Sequence, residues 1–121
     1  MSVPEGPETA VVSTVTVEVV RAGEAVVLVV AGEVDLLTAP EVESAMLRAL
    51  DQRPDVLVVD LLRVTFLASA GLAALMKAHD AAATTRLRVV AAGSATLRPL
   101  EITGLTAPLA VFATREEALR A

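Results

Sequence analysis

Ser69 and His79 are the residues of this 121-residue chain that most invite a chemical reading. Ser69 stands between two alanines in "TFLASAGLAAL", residues 65–75, where an apolar run gives way to a helical pattern. A serine at a helix start can cap the free amides there, or it can offer its hydroxyl to another molecule. Nucleophilic catalysis fails on geometry. His79 is the sole histidine, and its place in the same helix puts it ~15 Å along the axis, on the apolar face. The stretch "LASAG" holds only the second glycine of the G-x-S-x-G elbow. Without a cysteine or a second histidine, His79 has no companions for a metal site and reads as a core or boundary residue. "GSATLRP", from Gly93, lacks the lysine and second glycine of a phosphate-binding loop.

The elements that must position Ser69 follow from patterning. "STVTVEVV" (13–20) alternates and is β-branched, as a half-buried strand should be. "RAGE" (21–24) is a turn, and "AVVLVVAG" (25–32) is a continuous apolar run that suggests a strand covered on both faces. These two strands form an antiparallel hairpin. "LTAPEVESAMLRAL" (37–50) is a helix, with Thr38 and Glu41 at capping-box spacing and Pro40 in the first turn. "DVLVVDL" (55–61) is a second buried strand, and Ser69 to Ala83 forms the next helix. "RLRVVAA" (86–92) is a strand. "SATLRPLEITG" (94–104) is a short helix weakened by Pro99 and stopped at Gly104. "LAVFA" (109–113) is an edge strand, and "TREEALRA" (114–121) is a closing helix with Thr114 and Glu117 at capping-box spacing.

Alternation of strand and helix after the opening hairpin predicts an α/β fold. The sheet is mixed but mostly parallel, opened by an antiparallel hairpin, with about four helices packed against it. The flavodoxin-like alternative begins with a single strand ending in an acid pair, which this sequence lacks.

Composition narrows the function. The chain is 55% hydrophobic and carries a net charge of −5, which argues against a nucleic-acid surface. Aromatics are 2% of residues, both phenylalanine, too few for base-stacking platforms. Acids crowd residues 33–60 and bases outnumber acids beyond, a pattern that solvated faces of opposite sign account for. Residues 1–12 read as a disordered lead and 13–121 as a single domain. No apolar run reaches the ~20 residues of a membrane span. The start lacks the regions of a signal peptide, and cysteine is absent, so a cytoplasmic setting is expected.

With Ser69 at zero on a helical wheel, Leu72, Leu75, Met76, His79 and Ala83 form one stripe, predicted to face the sheet. Ala70, Ala73, Lys77, Asp80 and Ala81 lie on the side nearer Ser69. An alanine-lined face lets another chain approach closely, and Gly71 leaves further room for close packing. A phosphate on Ser69 would meet the positive end of the helix, a gain of roughly 0.3–2 kcal/mol. It would also add about −1.5 to −2 charges, which disrupts an apolar contact.

"VAGEVDLLTAPEV" (30–42), "VLVVDLLRVTFLASAGLAAL" (56–75) and "LEITGL" (100–105) together resemble the STAS domain, and more narrowly the bacterial anti-sigma factor antagonists. The resemblance spans about residues 13–120. It implies a non-enzymatic switch without a cofactor. The unmodified protein binds an anti-sigma factor, often a serine kinase, and so frees a sigma factor. Phosphorylation of a serine ends the complex, and a phosphatase restores it. Carried onto this chain, the acceptor is Ser69. The implied docking surface is Glu33, Asp35, Thr38, Leu67, Ala68, Ala70, Gly71, Ala73 and Lys77. The sequence departs from the family at Ala68, where an aspartate is common, and at Leu62 and Arg63, where Ser and Gly are common. Ala68 sustains an alternative: a STAS scaffold or accessory subunit of a transporter or signalling assembly that uses the same surface unphosphorylated.

Overall fold

The computed structural model describes residues 14–121. The expected lead, residues 1–12, lies outside them. Strands β1 (Val15–Ala22) and β2 (Ala25–Val34) pair antiparallel about the turn at Gly23 and Glu24. Strands β3 (Val56–Leu67), β4 (Arg86–Val90) and β5 (Ala110–Phe112) then add in parallel, giving the order β1-β2-β3-β4-β5. Helices α1 (Ala39–Asp51), α2 (Ser69–Ala81) and α3 (Gly93–Ile102) are the crossovers, and α4 (Arg115–Arg120) closes the chain. This is the fold class that the patterning predicts.

Each crossover joins neighbouring parallel strands in the same direction, so α1, α2 and α3 share one face of the sheet. The main core lies there, with Met46, Leu75 and Leu100 packed over Leu28, Leu57 and Val59. On the opposite face α4 seats Ala118 among Val27, Val29, Val58 and Val90. Strand β2 is therefore buried from Val26 to Val30 on both sides. That explains its unbroken apolar run, each side chain gaining about 1.5–3 kcal/mol from burial.

Three expectations need correction. First, β3 does not stop at Leu61 but runs to Leu67. Its register with β2 slips twice, between the Val29–Asp60 and Ala31–Arg63 rungs and between the Gly32–Val64 and Glu33–Phe66 rungs. Each slip inserts one extra residue into β3, so Leu61, Val64 and Leu67 face the core three apart rather than two. A period-two reading misses a strand spaced this way. Second, Thr38 caps α1 by position but makes no side-chain cap bond. Its hydroxyl is spent on the preceding turn, described below. Third, α2 ends at Ala81, and Ala83 is exposed at φ 53° rather than part of the buried stripe. The buried side of α2 is Gly71, Leu72, Ala74, Leu75 and Ala78, with Met76 and His79 half-buried.

The Thr114–Glu117 expectation fares better. The Glu117 amide donates to Thr114 Oγ1 at 3.1 Å, while the Glu117 carboxylate accepts from the Ala113 amide at 3.3 Å, one residue earlier than in a strict box.

Candidate docking and modification site

Strands β2 and β3 end together. Val34 pairs with Leu67, and the Ala68 amide donates to Val34 O at 2.8 Å. The loop that follows β2 and the first turn of α2 therefore leave the sheet side by side. Gly71 makes this junction possible. A Cβ there would lie 2.6 Å from Leu67 Cδ1 and 2.7 Å from Val34 Cγ1. The room that Gly71 leaves is filled from within, by the two strand ends.

The β2–α1 loop is a hydrogen-bonded knuckle. Asp35 Oδ1 accepts from the Leu37 amide at 3.0 Å and the Thr38 amide at 3.0 Å. Thr38 Oγ1 accepts from the Asp35 amide at 2.9 Å and donates to Glu33 O at 2.7 Å. This is why the Thr38 hydroxyl is not free to cap α1. Gly32, at φ 105°, opens the same corner, and the next amide, Glu33, donates to Thr14 O at 2.9 Å.

The amide of Thr38, followed by its hydroxyl and the Leu37 amide, holds the Asp35 carboxyl below its usual pKa. A depressed folded-state value means that the carboxylate stabilises the knuckle above the unfolded-state pKa. That contribution is lost as pH falls through the lower folded value. In an NMR titration the Leu37 and Thr38 amide shifts are expected to move together, with a midpoint below the ~3.9 of a free aspartate. A midpoint at or above that value contradicts the assigned role of Asp35.

Ser69 is the first residue of α2 and is exposed. The cap position belongs to Ala68, at φ −85° and ψ 172°, and no side chain caps the helix. The capping role open to Ser69 in the sequence is therefore not the one it fills. Its hydroxyl takes no partner among the described residues. It stands at an uncapped helix start, where first-turn amides lack intrahelical acceptors.

The other expected surface residues divide into two sets. Glu33, Ala73 and Lys77 are exposed, and Asp35, Ala68 and Ala70 are half-buried. Lys77 Nζ lies 3.3 Å from Glu43 Oε2 of α1, a solvent-exposed pair that contributes at most a few tenths of a kcal/mol. Thr38, Leu67 and Gly71 are buried, so they shape the surface from beneath. Arg63 is exposed, on the rung with Ala31 that follows the first bulge of β3.

The residues that sequence reasoning passed over are apolar. Leu36 is 77% exposed, Leu37 88% and Phe66 52%. Phe66 pairs with Glu33 across β2–β3, and Leu36 and Leu37 form the crest of the knuckle, so all three stand at the end of the sheet that delivers Ser69. The available signal was a pair of leucines inside "D-L-L-T", a turn whose polar residues consume each other's hydrogen bonds and leave the leucines outside.

The fold is an α/β sheet with three crossover helices on one face, and one end of it carries both Ser69 and the exposed Leu36, Leu37 and Phe66. The profile of the family described as "Mlab, STAS domain" matches residues 17–112. This chain belongs to the STAS domain family. It is 36% identical over 107 residues to the anti-sigma-F factor antagonist RsfB of Mycobacterium tuberculosis, covering 88% of each chain. It superposes on the crystal structure of an anti-sigma factor antagonist from Mycobacterium paratuberculosis with a TM-score of 0.84, at 34% identity and 97% of each chain. The unphosphorylated form of the anti-sigma factor antagonist SpoIIAA shares the fold, with a TM-score of 0.71 at 18% identity over 86% of this chain and 93% of that one.

Proposed function

We propose that this protein is an anti-sigma factor antagonist that works without catalysis. In its unmodified form it docks an anti-sigma factor on the surface formed by the knuckle and the start of α2, and a sigma factor is released. Phosphorylation of Ser69 by a serine-kinase partner ends the complex, and a phosphatase restores it. The observation that carries this reading is the exposed hydroxyl of Ser69, without a partner among the described residues, at a helix start that no side chain caps. The likeness to RsfB supports the partner class.

The chemistry favours a switch on both counts. First-turn amides and the helix dipole stabilise a phosphate on Ser69 in the free protein, by roughly 0.3–2 kcal/mol. The same −1.5 to −2 charges, at the end of the sheet that carries Leu36, Leu37 and Phe66, would have to be desolvated in the complex. Ala68 contributes no carboxylate, so no neighbouring charge opposes the phosphate from the cap position. Among the described residues no helix is long and apolar enough to cross a membrane. We place the protein in the cytoplasm, where a sigma-factor switch must act.

The test is incubation with the anti-sigma kinase and ATP, followed by mass-spectrometric mapping and size-exclusion chromatography. One phosphate on Ser69 and loss of the complex is the expected result. A complex that persists without any label would instead favour the unphosphorylated scaffold, and label at another serine or threonine would reassign the site.

A further inference from the structure

Strand β4 ends at Val90, opposite Asp60. Beyond that rung, Leu61–Leu67 is hydrogen-bonded to a neighbouring strand on the β2 side only. This one-sided arm holds both bulges, carries Phe66 and leads directly into Ser69. Its inward side chains Leu61, Val64 and Leu67 belong to the main core.

Asp60 is the root of the arm. It is 4% exposed, and its two oxygens do different work. Oδ1 accepts from the Leu62 amide at 3.0 Å, the first bulged residue, which turns the chain out of regular register. Oδ2 accepts from Arg115 Nε at 3.0 Å and lies 3.0 Å from the second guanidinium nitrogen. Arg115 opens α4, which lies on the face of the sheet opposite α2. A further anchor of α4 is Arg88, whose guanidinium donates to Ala118 O at 2.7 Å.

We infer that Asp60 and Arg115 form a clamp, by which α4 fixes the first bulge of β3 and so holds in register the arm that presents Phe66 and Ser69. Both are positioning residues and need not touch a partner. A buried carboxylate that loses the cation on Oδ2 is driven to turn toward solvent, and that turn takes Oδ1 away from the Leu62 amide. The consequence for docking rests on the proposed role of the Ser69 surface. The clamp itself does not.

The test is hydrogen–deuterium exchange on the full chain, comparing wild type, Arg115→Ala and Arg115→Lys. Met46→Ala serves as a control that weakens the core away from the clamp. Arg115→Ala is expected to speed exchange in the peptides covering Leu61–Leu67 by ~10-fold or more beyond the control, with Val26–Val30 unchanged relative to it. Arg115→Lys, which keeps the charge, should restore part of the protection. Faster exchange spread evenly over the sheet, or confined to α4, overturns the clamp. If Arg115→Ala does not fold, Arg115→Gln, which removes the charge and keeps much of the side chain, carries the same comparison, and arm protection equal to wild type in that variant overturns the clamp. Selective loosening of the arm with unchanged affinity for the anti-sigma factor would uphold the clamp and count against the Ser69 surface instead.

Discussion

Gly32→Ala is expected to destabilise the protein by about 3–5 kcal/mol, a large share of the 5–15 kcal/mol that holds a domain of this size together. Two costs combine. Gly32 sits at φ 105°, a conformation that costs any other residue about 1–3 kcal/mol. An added Cβ would also lie 1.9 Å from Thr14 O, and overpacking against an atom that cannot rotate away adds a further ~1–3 kcal/mol. That same oxygen accepts from the Glu33 amide, so the clash also breaks the bond that ties the start of β1 to the knuckle. Urea unfolding should show a lower midpoint with little change in slope. A loss below ~1 kcal/mol would mean that the corner relaxes freely and that the knuckle is not built on it.

Ser69→Asp is expected to weaken binding to the anti-sigma factor by about 10- to 100-fold, or roughly 1.4–2.8 kcal/mol, while leaving stability almost unchanged. The side chain is exposed and makes no hydrogen bond among the described residues, so little folded-state interaction is lost. An aspartate there lies in the first turn of α2, where the helix dipole stabilises its charge in the free state. The complex has to desolvate that charge against the leucines. Aspartate carries one charge where phosphate carries nearly two, so the phosphorylated protein should bind more weakly still. Ser69→Ala should bind like the wild type and resist the kinase. Leu37→Ser in the same calorimetric series separates surface from charge, because it changes the docking surface and leaves the switch intact. Wild-type affinity in both Ser69→Asp and Leu37→Ser would remove this end of the sheet from the interface.

The architecture was legible because it rests on signals that the sequence carries locally. Alternation marks β1, the unbroken valine run marks β2, and strand–helix alternation forces the parallel order that follows. The misreadings arise where a residue's role is set by a neighbour distant in sequence. Leu61, Val64 and Leu67 look like a linker because their spacing is neither two nor helical, and only pairing with β2 makes them strand. Thr38 has the sequence of a helix cap, but Glu33 O and the Asp35 amide claim its hydroxyl first. Ser69 has the composition of a cap, yet the Ala68 amide, held by Val34 O, starts the helix one residue sooner. That shift turns the serine from a structural residue into an available one. The small side chains around Ser69 suggested a docking face at this end of the molecule, a reading that the exposed leucines extend. The leucines went unnoticed because apolar residues in a sequence are read as core unless a turn is seen to expel them.

Leu36 and Leu37 stand on a scaffold to which Leu37 lends only its main-chain amide, and neither side chain is part of the core. Selection can therefore rewrite these two positions with little penalty in folding, as long as Asp35 and Thr38 are kept. Under the proposed docking, a duplicated copy can alter the pair together with its partner and so separate one binding pair from another. In this fold the freedom to diverge and the duty to fold fall on adjacent residues of one turn.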